Sequence, residues 1–580
     1  MSDSSRPSSR TRSRRRSAAV SAATAHNAQV APLLQLPQVL VTEVLVWLPA
    51  AVLGGVSCVC TALRDEHVPA AVYGRAALLG LVVPDPPPCK PLANALDFLE
   101  ELLRRRSTLA AGEAHTLCLQ PSPSALYSWG GNSDYEEYTE AWGLGEPCVA
   151  FLGHGKQVGK NVRSPRRVRS IIDAQGCREW AEAKMSLLQV SAGASHSMAV
   201  TSRGEVLSWG DASDGQLGHG RVEFGQYLGR DDYETAEVPM AIHFRAELAR
   251  ELIVQVSCGH GYSLMLSRSG RVYSCGSRGN GELGHADWPK QPHVPKRVAR
   301  LGGIVQVSAG SHSLAVSRDG KLYSWGWMAN GPPCRGPMDA PLNAPSVPPP
   351  HVPGEVAFLL DAPGAPPPRV TKACAGVDHG LIITDDGGLF SYGRGDYGEL
   401  GHGDRHSSYR RARRVALAHR VADAKVGQFF SAALTDTGDV YTWGQGFFGK
   451  LGHGDEYPDE DVDEAGGECC LLPQRVQGLP PVAEIALGSC HALARLRDGE
   501  LLAWGCNDAG QLGQGHACNE ERHGHPERVR FRSAGEDDEE DEEDEEDEDE
   551  DEDNEDEEDE EDEDEEDEED EDEEDEEDDE

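Results

Sequence analysis

The stretch Val190 to Gly220, VSAGASHSMAVTSRGEVLSWGDASDGQLGHG, decides how this chain is read. Four glycines, Gly210, Gly215, Gly218 and Gly220, crowd its end. They allow two readings, a loop that cradles a phosphate or a purely structural turn. A phosphate loop occurs once, between a strand and a helix, often with a Lys following. Here no Lys follows, and the stretch recurs. SCGSRGNGELGHA begins at Ser274, SYGRGDYGELGHG at Ser391, TWGQGFFGKLGHG at Thr442 and AWGCNDAGQLGQG at Ala503. A repeated loop is architecture before it is a site.

The text upstream repeats as well. AGASHSMAVTSRGEVLSWG from Ala192 has relatives starting at Cys258, Ala309, Ala375, Val426 and Leu487, with a poorer copy at Ala111, which makes seven units. The intervals His196 to Trp209, His312 to Trp325, His379 to Tyr392 and His491 to Trp504 are all 13 residues. Tyr262 to Cys275 and Phe430 to Trp443 keep that interval with substituted ends, and only His115 to Trp129 differs, at 14. Apolar residues alternate on either side of a short turn, as in SLAVSRDGKLYSW, which predicts an antiparallel hairpin. Asp319-Gly320, Asp386-Gly387 and Asp498-Gly499 take the turn, where glycine tolerates positive φ. The closing Trp or Tyr reads as an apolar plug. The following D-x-G-x-L-G-x-G reads as a reversal with its Leu pointing inward.

A second element recurs seven times. It reads SPRRV at Ser164, EVPMAI at Glu237, VPKRV at Val294, PPPRV at Pro366, RARRV at Arg411, LPQRV at Leu472 and HPERV at His525. Taken as the strand before each hairpin, it leaves an orphan at both ends. Pairing of the C-terminal strand with the first blade would then close a ring and remove exposed edges. The histidines sit one to a copy and cannot converge on one ion, so a hydrogen-bonded structural His within each blade is expected and no metal site.

This pattern resembles the regulator of chromosome condensation repeat family over roughly residues 105 to 533. The resemblance implies a mainly β fold, a seven-bladed β-propeller. It also implies a binding platform, one member of which promotes nucleotide exchange on a Ran-type small GTPase. No residue here can be matched to that member's exchange wedge.

Four insertions break the repeat, and function on a propeller concentrates in such breaks. Ser133 to Phe151 holds Tyr135, Tyr138 and Trp142; Arg221 to Glu237 holds Phe224, Tyr227 and Tyr233. Trp327 to Pro368 is rich in Pro and Gly, and Glu456 to Glu468 is strongly acidic. All fall between a Trp-Gly strand and the next P-x-R-V strand, which places them on related rims. Aromatic residues among acids make Tyr135, Tyr138, Trp142, Phe224, Tyr227 and Tyr233 candidate partner-binding residues, against a reading as ordinary loop variability.

Outside the repeats the composition changes sharply. Every residue from Glu536 to Glu580 except Asn554 is acidic, so the formal charge of −48 belongs almost wholly to this tail. The remainder carries 57 acidic and 53 basic residues. The tail reads as a disordered, solvated polyanion or as a lure for basic proteins, and it disfavours direct DNA binding. The start, MSDSSRPSSRTRSRRRS, reads as a disordered basic segment, a nuclear-import patch or a transit peptide. Fifteen scattered Cys without a C-x-x-C pair suit reduced thiols in an intracellular protein, cytoplasmic or nuclear, with organellar targeting left open. The apolar run Val39 to Val56 is interrupted by Glu43 and Pro49, and no membrane partner is expected.

Residues 33 to 80 have helical periodicity, with Val41, Val44, Leu45 and Leu48 on one stripe and Val56, Val59 and Leu63 on another. They resemble an F-box through Leu36-Pro37, Val44-Leu45-Leu48 and Val59-Cys60 with Arg64. Gly54 and Ala62-Leu63 depart from that pattern, and a helical cap on the propeller is the alternative. The resemblance implies a Skp-family adaptor bound through Leu36, Pro37, Val44, Leu45, Leu48, Val59 and Cys60. It would make the propeller a substrate receptor of a cullin–RING ubiquitin ligase. The expected organisation is therefore 1–32 disordered, 33–80 F-box-like, 81–109 Pro-rich linker and amphipathic helix, 110–533 propeller, and 534–580 polyacidic tail. No nucleophile–base pair, carboxylate dyad or cofactor motif appears. The chain reads as a non-catalytic scaffold. Its partners would be an adaptor with a protein substrate, a Ran-type GTPase, or basic proteins at the tail.

Overall fold

A computed structural model describes residues 107–531, except 122–123, 132–150, 156–160, 174–175, 180–186, 202, 221–234, 243, 245–250, 287–292, 327–348, 360–365, 455–468 and 517. The F-box-like segment, the apolar run and both charged termini lie outside these residues. The strands form seven sheets, and six of them are four-stranded meanders. The fourth blade shows the plan: Ile304–Ala309, His312–Ser317, Leu322–Gly326 and Gly354–Glu355, each antiparallel to the last. The second sheet is six-stranded, because the hairpin Ser170–Asp173 and Gly176–Glu179 extends it outward, pairing parallel to the fourth strand Thr235–Ala241. First strands of neighbouring blades touch in unbroken cyclic order, and the seventh, Val482–Leu487, meets the first, Leu109–Ala111. The mainly β, seven-bladed propeller is thus present.

The core follows from this ring. Second strands such as His196–Thr201 and His379–Thr384 are buried along their whole length. Each is covered on both faces by a neighbouring blade. The described apolar residues fall into seven clusters, each drawn from two adjacent blades, so the seams between blades are the core. Trp129, Trp209, Trp325 and Trp443 are completely buried there, and Trp504 nearly so. Nine described cysteines are free thiols. Among the described residues no helix is long and apolar enough to cross a membrane.

Two expectations about the repeat are corrected. The P-x-R-V strand closes the blade of the hairpin before it. Val298 N–H donates to Val272 O at 2.8 Å, Val476 to Val440 O at 2.9 Å and Val529 to Leu501 O at 3.0 Å. No strand is orphaned, and no shared strand closes the ring. Moreover, the copy in the fourth blade is not PPPRV. It is Val352 to Val356, where Val356 N–H donates to Leu322 O at 2.9 Å, while Val370 begins the fifth blade. Gly-Glu replaced the usual basic pair there, which hid the strand inside the Pro-rich insertion.

Closure is instead a side-chain clamp. The Glu484 carboxylate in the seventh blade accepts the amides of Thr108 and Leu109 at 2.8 and 3.2 Å and the hydroxyls of Ser107 and Thr108. Its cross-strand neighbour Arg495 lies 3.8 Å away and donates to Cys118 Sγ at 3.1 Å and to Leu119 O at 3.4 Å. Phe531 then packs edge-on against Tyr127 and Trp129 of the first blade, at 5.4 and 6.3 Å.

Candidate protein-binding face

The recurring polar residues are spent on the seams. His115 Nε2 meets Ser197 Oγ at 2.9 Å, His196 meets Ser263 at 2.8 Å, His379 meets Ser431 at 2.8 Å, and His491 meets Thr116 at 3.1 Å. Tyr262 takes the histidine's place and reaches Ser313 Oγ at 2.8 Å. These bonds run between blades, not within one as the sequence suggested. A second set of histidines does bond within the blade. His154, His219, His285, His402 and His453 each meet the Ser or Thr of their own third strand.

The plug is polar too. Trp209 Nε1 donates to Phe151 O, Trp325 to Glu282 O, Trp443 to Glu399 O, Trp504 to Lys450 O and Trp129 to Gln511 O, at 2.7–3.0 Å. Each acceptor belongs to the x-Leu-Gly turn of the preceding blade. The glycine of that turn admits the indole: a Cβ on Gly284 would stand 2.8 Å from Trp325 Nε1. The amides of the opening stretch are consumed as well, Gly215 N–H on Ala212 O, Gly218 on Gly215 O and Gly220 on His293 O. The glycines shape a turn that receives the next blade, and they offer no amide cradle to a phosphate.

Burial keeps the seam imidazoles neutral. It holds His115 down at about 4 and His196, His312, His379 and His491 at about 3. Among the described residues no group of His, Cys, Asp and Glu could hold a metal ion. These side chains are scaffold, and they leave the faces of the disk to carry function.

The two faces differ. One carries hairpin turns of nearly uniform length, such as Ser317 to Lys321, together with the blade-to-blade connections, the longest of which forms the hairpin Ser170–Asp173 and Gly176–Glu179. The other carries the first-to-second strand loops together with the connection leaving each third strand. Three insertions and the first part of the Pro-rich one join the ring on this second face, between the described flanks Gly131 and Phe151, Gly220 and Thr235, Gly326 and Pro349, and Gly454 and Cys469, while the part of the Pro-rich insertion after Val356 leads to the fifth blade on the first face. The candidate residues Tyr135, Tyr138, Trp142, Phe224, Tyr227 and Tyr233 fall between such flanks but outside the described residues. So do Leu36, Pro37, Val44, Leu45, Leu48, Val59 and Cys60.

This face also holds residues that reasoning from sequence passed over. The Arg394 guanidinium lies over the rings of Tyr397 and Phe429 at 5.3 and 5.2 Å, held by Asp396 at 2.7 Å and Asp378 at 3.7 Å. Glu399 beneath accepts the Tyr397 amide at 2.8 Å, and burial lifts its carboxyl to about 7. Lys450 is buried at the equivalent turn position of the next blade, donating to Gln445 Oε1 at 2.8 Å and Gln428 O at 3.2 Å. The turn before Lys450 carries Phe447-Phe448, where other copies carry Ser-Asp, Asp-Tyr or Asp-Ala.

A ring of hairpin-built blades locked by His–Ser and Trp–carbonyl bonds defines a repeat β-propeller. The chain belongs to the RCC1-like domain family, whose profile matches residues 138–539. It is 32% identical over 352 residues to the ultraviolet-B receptor UVR8 of Arabidopsis thaliana, covering 60% of this chain and 70% of the receptor. It is 30% identical over 403 residues to the secretion-regulating guanine nucleotide exchange factor of Mus musculus, covering 65% of this chain and 76% of that protein. The human E3 ubiquitin-protein ligase HERC2 is 32% identical over 331 residues, 56% of this chain but only 5% of the ligase. Yeast RCC1 (Prp20), in its crystal structure bound to Kap60, superposes with a TM-score of 0.53 at 24% identity, covering 66% of this chain and 81% of that one.

Proposed function

We propose that this chain is a non-catalytic protein-binding propeller that promotes guanine-nucleotide exchange on a Ran-type small GTPase through its insertion-bearing face. The observation that carries the reading is the division of labour in the ring. The recurring buried polar groups are committed to holding the blades together, and every connection between a third and a fourth strand, including the aromatic-bearing and acidic insertions, leaves the ring on one face. The likeness to a named exchange factor supports the exchange activity. Exchange needs no acid, base or nucleophile. It needs a surface that holds the nucleotide-free GTPase more tightly than the nucleotide-bound form, and nucleotide leaves by linkage.

The test is capture of a Ran-type GTPase by the full chain, with and without a chelator that strips nucleotide. The expected result is a stable complex only with the stripped GTPase, dissolved by added GDP. Equal or absent capture in both states removes the exchange reading. The F-box-like segment supports a second partner, a Skp-family adaptor, on sequence alone. A pull-down beside the Leu36→Ala/Pro37→Ala/Leu48→Asp variant decides it: binding that the variant loses supports a ligase receptor, and no binding by either removes that reading.

A further inference from the structure

The fifth and sixth blades meet the insertion-bearing face with aromatic side chains where their relatives carry small or polar ones. Gly446-Phe447-Phe448-Gly449 stands where the second blade has Ala212-Ser213-Asp214-Gly215, and Gln428-Phe429 where it has Ala194-Ser195. Phe448 is 49% exposed, and Tyr397, Phe429 and Phe447 are half-buried. Gln445 N–H donates to Phe429 O at 2.9 Å and Lys450 to Gln428 O, which binds the two loops of the sixth blade together. Phe429 and Phe448 both hold φ of 61°, and among the described non-glycine residues only Arg300 shares that sign. Bulky residues rarely adopt it, and such strain concentrates where ligands are gripped. An exposed Phe at such an angle gains little from folding that would explain its presence.

At the surface of the patch carboxylates outnumber bases, Asp378 and Asp396 against Arg394, with Lys450 buried beneath. Arg394 shows that these rings accept a guanidinium, yet its own charge is faced by two carboxylates, Asp378 and Asp396. In sequence, the turn is followed at 455 to 468 by eight acidic residues and no basic one. An aromatic centre in an acidic setting repels nucleic acid and complements basic protein.

We propose that the patch formed by Tyr397, Phe429, Phe447 and Phe448 docks a basic segment of a protein partner. Its Lys or Arg side chains stack on the exposed Phe448 and Phe447 rings, and flanking basic groups face Asp378 and Asp396. The inference rests on the protein-binding part of the proposed function and not on nucleotide exchange.

The experiment uses the full chain and a short Lys/Arg-rich peptide carrying a benzophenone, with crosslinks mapped by mass spectrometry. Crosslinks at 428–429 and 447–449 are expected beside those on the polyacidic tail. Phe447→Ser/Phe448→Ser should lower the yield at the patch about tenfold and leave the tail unchanged. Phe448→Gly separates docking from folding, because it relieves the positive φ. It should raise the melting temperature while lowering the patch yield. Crosslinks confined to the tail, a patch yield unchanged in both variants, or a single-stranded oligonucleotide that displaces the peptide from the patch would overturn the proposal. Loss of GDP-release activity with patch crosslinks intact would count against exchange alone.

Discussion

The seam between the first and second blades and the seam between the sixth and seventh solve one problem in opposite ways. In the first, His115 bonds Ser197 across the gap and Trp209 reaches the Phe151 carbonyl. In the second, Phe430 and Ala492 occupy the equivalent places, both fully buried and with no polar atom to satisfy. A third solution stands between the fourth and fifth blades. Gly380 replaces the Ser, and Tyr392 fills the space with its hydroxyl 2.6 Å from His312 Nε2. The substitutions are compensated in pairs. Buried polar groups are kept or removed together, because a lone one costs its desolvation.

The largest expected effect is that of acid. Five seam imidazoles have folded pKa values near 3 to 4, below an unfolded value near 6.5. The unfolded chain binds these protons first, so stability is full above pH 6.5 and falls as pH drops toward 4. Five groups over 1.5 pH units amount to on the order of 10 kcal/mol, comparable to total stability. Burial raises the carboxyls of Glu399 and Glu282, which acts the other way. Circular dichroism should show cooperative unfolding near pH 5. Installing the sixth–seventh solution elsewhere, as His115→Phe/Ser197→Ala, should move that midpoint to lower pH; an unmoved midpoint breaks the comparison.

Next in size is Trp209→Ala, which removes a fully buried indole and should cost about 3–5 kcal/mol in chemical denaturation. Gly380→Ser should cost about 1–3 kcal/mol, because its Cβ would stand 2.4 Å from the Tyr392 hydroxyl. Ser197→Ala should cost about 1–2 kcal/mol by stranding the His115 ring nitrogen. Smallest is the cycle at the sixth–seventh seam. Ala492→Ser alone should destabilise by about 1 kcal/mol, and Phe430→His/Ala492→Ser should recover much of it as a measurable coupling. Additive effects there would show that the pairs are not compensated.

The propeller was legible because each blade writes its hairpin, plug and turn in local sequence, at a spacing of 13 residues. Seven copies made the count firm. What lies between blades was not legible. The direction of His115 toward Ser197, 82 positions away, depends on the ring and on no local pattern. The closing clamp of Glu484 and Arg495 was hidden because the two residues look like ordinary strand surface. The fourth-blade strand at Gly354–Glu355 was missed because it keeps the backbone pairing without the basic signature. Among the candidate binding residues, the aromatic insertion residues were easy to single out. Phe429, Phe447 and Phe448 were not, because Phe inside a β repeat reads as core. Only the backbone angle and the exposure of Phe448 set them apart.

The most direct test of the account is the rate at which a Ran-type GTPase releases fluorescent GDP on adding the full chain. The rate should rise with chain concentration and saturate, as differential binding of the nucleotide-free form requires. A rate unchanged at every concentration would contradict it.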